Sequence, residues 1–137
     1  MDFCDKLIEL RITINNVCDQ FSLENSSKEL SLSAKLKVLF LLSQKDMTPN
    51  ELIMTLGIAK SNLANLSKSM IYDGVIDSYK TLENNRNIYY RITENGLSEL
   101  KAYKSSLTQH LNKLQNLDEL NLYVNKILEI LKGNKND

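Results

Sequence analysis

The run Thr48-Pro49-Asn50-Glu51 constrains this chain more tightly than any other stretch. Thr48 can cap a helix, Pro49 suits the first helical position, and Glu51 stands where a capping box needs an acid. Leu52, Ile53 and Leu56 then form one apolar stripe, and Gly57 ends the segment with a turn. A second helix is expected at once, from about Lys60 to Tyr72, with Leu63, Leu66, Met70 and Ile71 turned inward. Asp73-Gly74 ends it, with glycine free to take the left-handed conformation. Two short helices joined by a tight glycine turn form a helix-turn-helix.

Beyond Gly74 the apolar period falls from 3.6 to 2. Val75 to Thr81 reads as one strand and Ile88 to Thr93 as another, with Ile88, Tyr90 and Ile92 on one face and Tyr89 and Arg91 on the other. Between them Glu83-Asn84-Asn85-Arg86-Asn87 makes a turn tip, because Asn tolerates positive φ.

The flanking segments are helical. Phe3, Leu7, Leu10, Ile14, Val17 and Phe21 recur at alternating steps of four and three, a heptad seam that needs a facing helix. Leu23 to Leu32 is a polar connection. Ala34 to Ser43 reads as a helix that is apolar on most faces, entered through a serine cap. Thr93-Glu94 caps the last helical region, whose stripe runs through Leu97, Leu100, Leu107, Leu111, Leu114 and Leu117. Asn116-Leu117-Asp118-Glu119 resembles a second capping box and predicts a break. Leu120, Val124, Ile127 and Leu131 continue the seam beyond it. With four glycines and one proline in 137 residues, helix is favoured over sheet. The expected fold is mainly α: a winged helix-turn-helix lobe over 32–93, flanked by terminal helices over 1–31 and 94–137 whose seams either pack within the chain or serve as dimerisation helices, all in one domain.

The charge pattern limits the function. Seventeen basic residues balance seventeen acidic ones, so nucleic-acid binding must rest on a local patch. Such a patch exists in outline. From Ala59 to Arg91, Lys60, Lys68, Lys80, Arg86 and Arg91 face three acids, Asp73, Asp77 and Glu83, a local excess of two. The second helix of a helix-turn-helix enters the major groove. With the inward residues removed, this one offers Lys60, Ser61, Asn62, Ala64, Asn65, Lys68 and Ser69. Asn pairs bidentately with adenine, and Lys reaches guanine or phosphate. Lys60, Ser61, Asn62, Asn65, Lys68 and Arg86 are therefore the expected DNA contacts.

These residues resemble the MarR family of bacterial winged-helix regulators. The resemblance covers about Leu32 to Leu100, and the terminal helices by pattern. It is carried by Thr48-Pro49-Asn50-Glu51-Leu52, by Lys60-Ser61-Asn62-Leu63, and by Met70-Ile71-Tyr72-Asp73-Gly74-Val75-Ile76. The family's Asp-x-Arg wing and Leu-Thr-x-x-Gly strand end appear as Asn84-Asn85-Arg86 and Ile92-Thr93-Glu94-Asn95-Gly96. The resemblance implies that Arg86 enters a minor groove and that the recognition helix starts near Lys60. It also implies a homodimer on a roughly palindromic site, repression as the usual outcome, and a small-molecule effector or redox signal. Phe3, Leu7, Leu10, Ile14, Val17, Leu120, Val124, Ile127 and Leu131 would then build the dimer. Two positions depart from the family: Asn84 replaces the wing aspartate, and Asn65 stands at a common basic position. Both predict weaker or more A·T-directed binding.

Other residues have quieter readings. Cys4 and Cys18, fourteen residues apart on similar faces of the first helix, are either a redox pair or two small buried apolar groups. His110 is the only histidine, so no metal is expected. Tyr72, Tyr79, Tyr89 and Tyr90 read as core and wing packing rather than a ligand pocket. No Gly-rich phosphate loop, serine elbow or paired His and acid occurs, so neither an enzyme nor a cofactor is expected. Met1 to Asp5 carries two acids and no basic n-region, and the longest apolar run, Leu36 to Leu42, is broken by Lys37 and too short to span a bilayer. A cytoplasmic protein without membrane contact is expected. The rival function is a winged helix used as a protein-interaction module, and a small-molecule binder without DNA is a third.

Overall fold

The structure, a computed structural model, describes residues 2–24 (side chains through 18), 34–81, 83 and 87–133. The wing-tip residues Asn84, Asn85 and Arg86, the serine cap expected before Ala34 and the side chain of Phe21 lie outside them. Six helices and one hairpin follow in the order α1 (Phe3–Glu24), α2 (Ala34–Gln44), α3 (Pro49–Leu56), α4 (Lys60–Tyr72), β1 (Ile76–Lys80), β2 (Ile88–Ile92), α5 (Glu94–Leu111) and α6 (Leu117–Lys132).

Local chemistry sets these boundaries. The Thr48 hydroxyl accepts from the Glu51 amide at 3.2 Å, and the Glu51 carboxylate accepts from the Thr48 amide at 3.0 Å. The capping box is complete, and α3 ends at Gly57 with φ at 67°. At the end of α4, Gly74 adopts φ 77° and donates to the Ile71 carbonyl at 3.0 Å, while the Val75 amide donates to Met70 at 3.1 Å. That pair of bonds is a Schellman motif, which satisfies carbonyls the helix end would otherwise orphan. The Asn116 side chain makes no capping bond, so the second box read in the sequence does not form, although the break it marked is present.

One core holds the middle of the chain together. Val38, Leu39 and Leu42 of α2, Leu52 of α3, Leu63 and Met70 of α4, Ile76 of β1 and Leu100 of α5 are buried with Met47 and Val75. The hairpin is antiparallel, with Ile76 opposite Ile92, Ser78 opposite Tyr90 and Lys80 opposite Ile88. Met47, just before α3, forms a bridge to Tyr90 and so adds a third short edge to the sheet.

The joint between hairpin and α5 explains the Thr-x-x-Gly pattern. The Thr93 hydroxyl donates to the Gly74 carbonyl at 2.7 Å and accepts from the Gly96 amide at 3.1 Å, capping α5. Gly96 is buried, and a Cβ there would stand 2.2 Å from the Val75 carbonyl oxygen. Only glycine permits that approach.

Two readings of inward faces are corrected. Ile71 is exposed, and Ser67 takes the buried place instead. Tyr72 is not packing at all: it is 91% exposed at the end of α4. The inward column of α4 runs Leu63, Ser67, Met70, steps of four and three, which turns Ile71 and Tyr72 away from the core.

Candidate nucleic-acid interface

The outward face of α4 is the most nucleic-acid-like surface among the described residues. Lys60, Ser61, Asn62, Ala64, Asn65, Lys68 and Ser69 are all exposed along it. Leu63, Ser67 and Met70 hold the opposite face in the core, which fixes which way the polar side chains point. No acid occurs before Asp73, the C-cap. Ala59, at the N-cap, offers no side-chain acceptor, so the first-turn amides stay open to an external acceptor at the positive end of the helix dipole. The helix ahead of it is built the opposite way, with its N-terminus closed by the capping box.

Charge on the hairpin is divided between its faces. Arg91 lies on the outer face, 3.9 Å from the Asp77 carboxylate and 5.1 Å from the centre of the Tyr79 ring. Tyr79 stacks on Tyr89 at 5.7 Å between centroids. The Tyr79 hydroxyl donates to the Asp46 carboxylate, which raises its pKa above the ordinary tyrosine value and ties the hairpin to the loop before α3. Arg91 is thus partly neutralised and braced. Lys60, Lys68 and Lys80 are exposed and make no ion pair among the described residues.

Tyr90 and Ser67 carry a contact that the sequence did not announce. The Tyr90 hydroxyl donates to the Ser67 Oγ at 3.1 Å, and that oxygen donates to the Ala64 carbonyl at 3.1 Å. The helical spacing of Ser67 between Leu63 and Met70 was the available signal.

Outside this face, the expected seam residues Phe3, Leu7, Leu10, Ile14, Leu120, Val124, Ile127 and Leu131 are exposed, and Val17 is half-buried. α6 buries no side chain. Cys4 is exposed and Cys18 half-buried, so the reading of both as buried apolar groups does not hold within this single chain. Among the described residues, no cluster of three potential metal ligands occurs and no helix is long and apolar enough to cross a membrane.

Comparison with known proteins agrees with this geometry. The family model described as a winged helix DNA-binding domain matches residues 34–111. Among solved structures, wild-type apo MarR from E. coli superposes with a TM-score of 0.73 at 14% identity, covering 94% of this chain and 98% of its own. The transcriptional regulator BldR from Sulfolobus solfataricus gives 0.65 at 20% identity, covering 93% and 98%. The adhesin competence repressor AdcR from Streptococcus pyogenes gives 0.52 at 20%, covering 90% and 98%. No match is found among curated protein sequences. The chain belongs to the family of winged helix DNA-binding domains and has the fold of the MarR regulators.

Proposed function

We propose that this chain is a transcriptional regulator that binds a specific double-stranded DNA sequence as a homodimer, acting as a repressor on a palindromic site. The outward face of α4 carries this reading: seven exposed residues, each small, neutral-polar or basic, on a helix whose acids begin only at its C-cap. Lys60, Ser61, Asn62, Asn65 and Lys68 would meet the major groove, and Arg86 the minor groove. Repression rests on the likeness to MarR and AdcR, the latter a repressor by name.

The homodimer is supported by the apolar seams of α1 and α6, whose Phe3, Leu7, Leu10, Ile14, Leu120, Val124, Ile127 and Leu131 are exposed in the single chain, and a second copy is the occupant whose seam matches. A two-fold axis then presents two copies of α4 about one helical turn of DNA apart.

An effector site is supported by an apolar cavity of about 360 Å³ between α2, α3 and α5, lined by Leu36, Phe40, Leu41, Leu56 and Leu107 with Lys37 and Lys104 beside them. A small apolar anion would suit it. The rival, a protein-interaction module, draws on Met54, 83% exposed on α3, and on the exposed Tyr72.

The test is binding of purified protein to its own upstream DNA at low and moderate salt, beside a scrambled duplex. Regulator binding should be specific and fall steeply with salt. Arg86→Ala should weaken it on every sequence, whereas Asn62→Ala or Asn65→Ala should change the preferred sequence, by about 1–3 kcal/mol at the affected base. Wild-type affinity in all three variants would remove this face from the assignment. Absence of any preference over the scrambled duplex would favour the interaction module.

A further inference from the structure

Ser67 is an odd residue for its place. It is 5% exposed, in a column otherwise made of Leu63 and Met70. A buried hydroxyl costs free energy unless it is bonded. Its own bond to the Ala64 carbonyl satisfies the proton and leaves the oxygen lone pairs open. The Tyr90 hydroxyl fills one of them across the gap between hairpin and helix. The backbone of the same tyrosine is bonded in both directions to Met47, its amide to the Met47 carbonyl at 2.8 Å and its carbonyl to the Met47 amide at 3.2 Å. One residue of β2 therefore grips the start of α3 with its main chain and the middle of α4 with its side chain.

Apolar burial alone would hold α4 against the core without fixing its rotation sharply, because that attraction has little direction. A hydrogen bond does have direction. A rotation of about 10° swings a side-chain tip, roughly 6 Å from the helix axis, by on the order of 1 Å. Base-edge contacts tolerate about half that. We infer that Tyr90 and Ser67 are positioning residues, which lock the rotation of α4 relative to the hairpin so that Asn62, Asn65 and Lys68 meet base edges in register. This role rests on the DNA-binding reading above. Neither side chain need touch DNA.

The test uses Tyr90→Phe, Ser67→Ala and the double variant. Each is bound to a duplex that the wild-type chain selects from a random-sequence pool, with a scrambled duplex of the same composition beside it, and each is unfolded thermally. Loss of one directional bond should weaken the selected duplex about twofold to tenfold. The scrambled duplex, held by phosphate contacts, should change less than about twofold. The double variant should lose no more than the worse single variant, since both remove the same bond. Equal weakening on the two duplexes, in step with a lowered unfolding midpoint, would make the bond purely structural and overturn the inference. So would unchanged selectivity in all three proteins. A wild-type chain that selects no duplex would instead overturn the DNA-binding reading, and the positioning role with it.

Discussion

The middle of the chain and its two ends solve the burial problem differently. From α2 to the first turns of α5, ten of the described residues close into one core within the same chain. In α1 and α6 the stripes are just as regular, yet Phe3 and Leu131 are 71% and 70% exposed. Periodicity tells a helix which face is apolar; it does not say whose surface covers that face. The lobe closes by itself, and the terminal helices leave their apolar stripes uncovered within the chain.

Three substitutions test that division, the first having the largest expected effect. Ile127→Glu places a carboxylate on the α6 seam, and the two-fold symmetry of the proposed homodimer would double the lesion. Burying an unpaired charge costs several kcal/mol per site, so sedimentation should show monomer for this variant and the proposed dimer for the wild type. A dimer that persists would locate the interface elsewhere. Leu39→Ala, in the middle of the lobe core, should cost about 2–5 kcal/mol in denaturant unfolding and leave the seam intact. Gly96→Ala follows, at about 1–3 kcal/mol, because its methyl group would have to displace the Val75 carbonyl or α5 itself. If Leu39→Ala also dissociated the dimer, the lobe and the seams would not be independent.

The same division governs what could be read from sequence. α4 begins and ends at the residues its turn chemistry indicates, Lys60 and Tyr72, because Gly57 and Gly74 mark both ends with left-handed backbone. The capping box before α3 is equally local, since both its bonds span three residues. Across elements the reading fails in an informative way. Ile71 is apolar yet exposed, and Ser67 is buried in its stead, because the rotation of α4 is set by its partners on α3, β1 and β2, which no local rule contains. The second capping box failed for a similar reason: Asn116 has the right chemistry, but its backbone, at ψ 47°, is not extended as a capping residue's usually is. The outward face of α4 was legible as the complement of its buried column, and the seams as stripes without visible covers.

The smallest effect concerns the helix that leads the helix-turn-helix. Glu51 sits below its usual carboxylate range, chiefly because its ionised oxygen accepts from the Thr48 amide; burial opposes the shift, and Lys45, 3.4 Å away, assists it. A folded-state pKa below the unfolded one means that the unfolded chain binds the proton more readily. The contribution of Glu51 is therefore fully present above the unfolded value and is lost as pH falls through the folded one. Stability of the lobe should drop across the acidic window, and α3 should loosen at its first turn before the core yields, because the carboxylate is about half in solvent and the loss is correspondingly small. Glu51→Gln keeps an acceptor for the Thr48 amide but cannot titrate. Its unfolding free energy at neutral pH should lie slightly below that of the wild type, and the two should converge as the pH is lowered. Parallel pH profiles for the two proteins would mean that the capping carboxylate is not linked to folding.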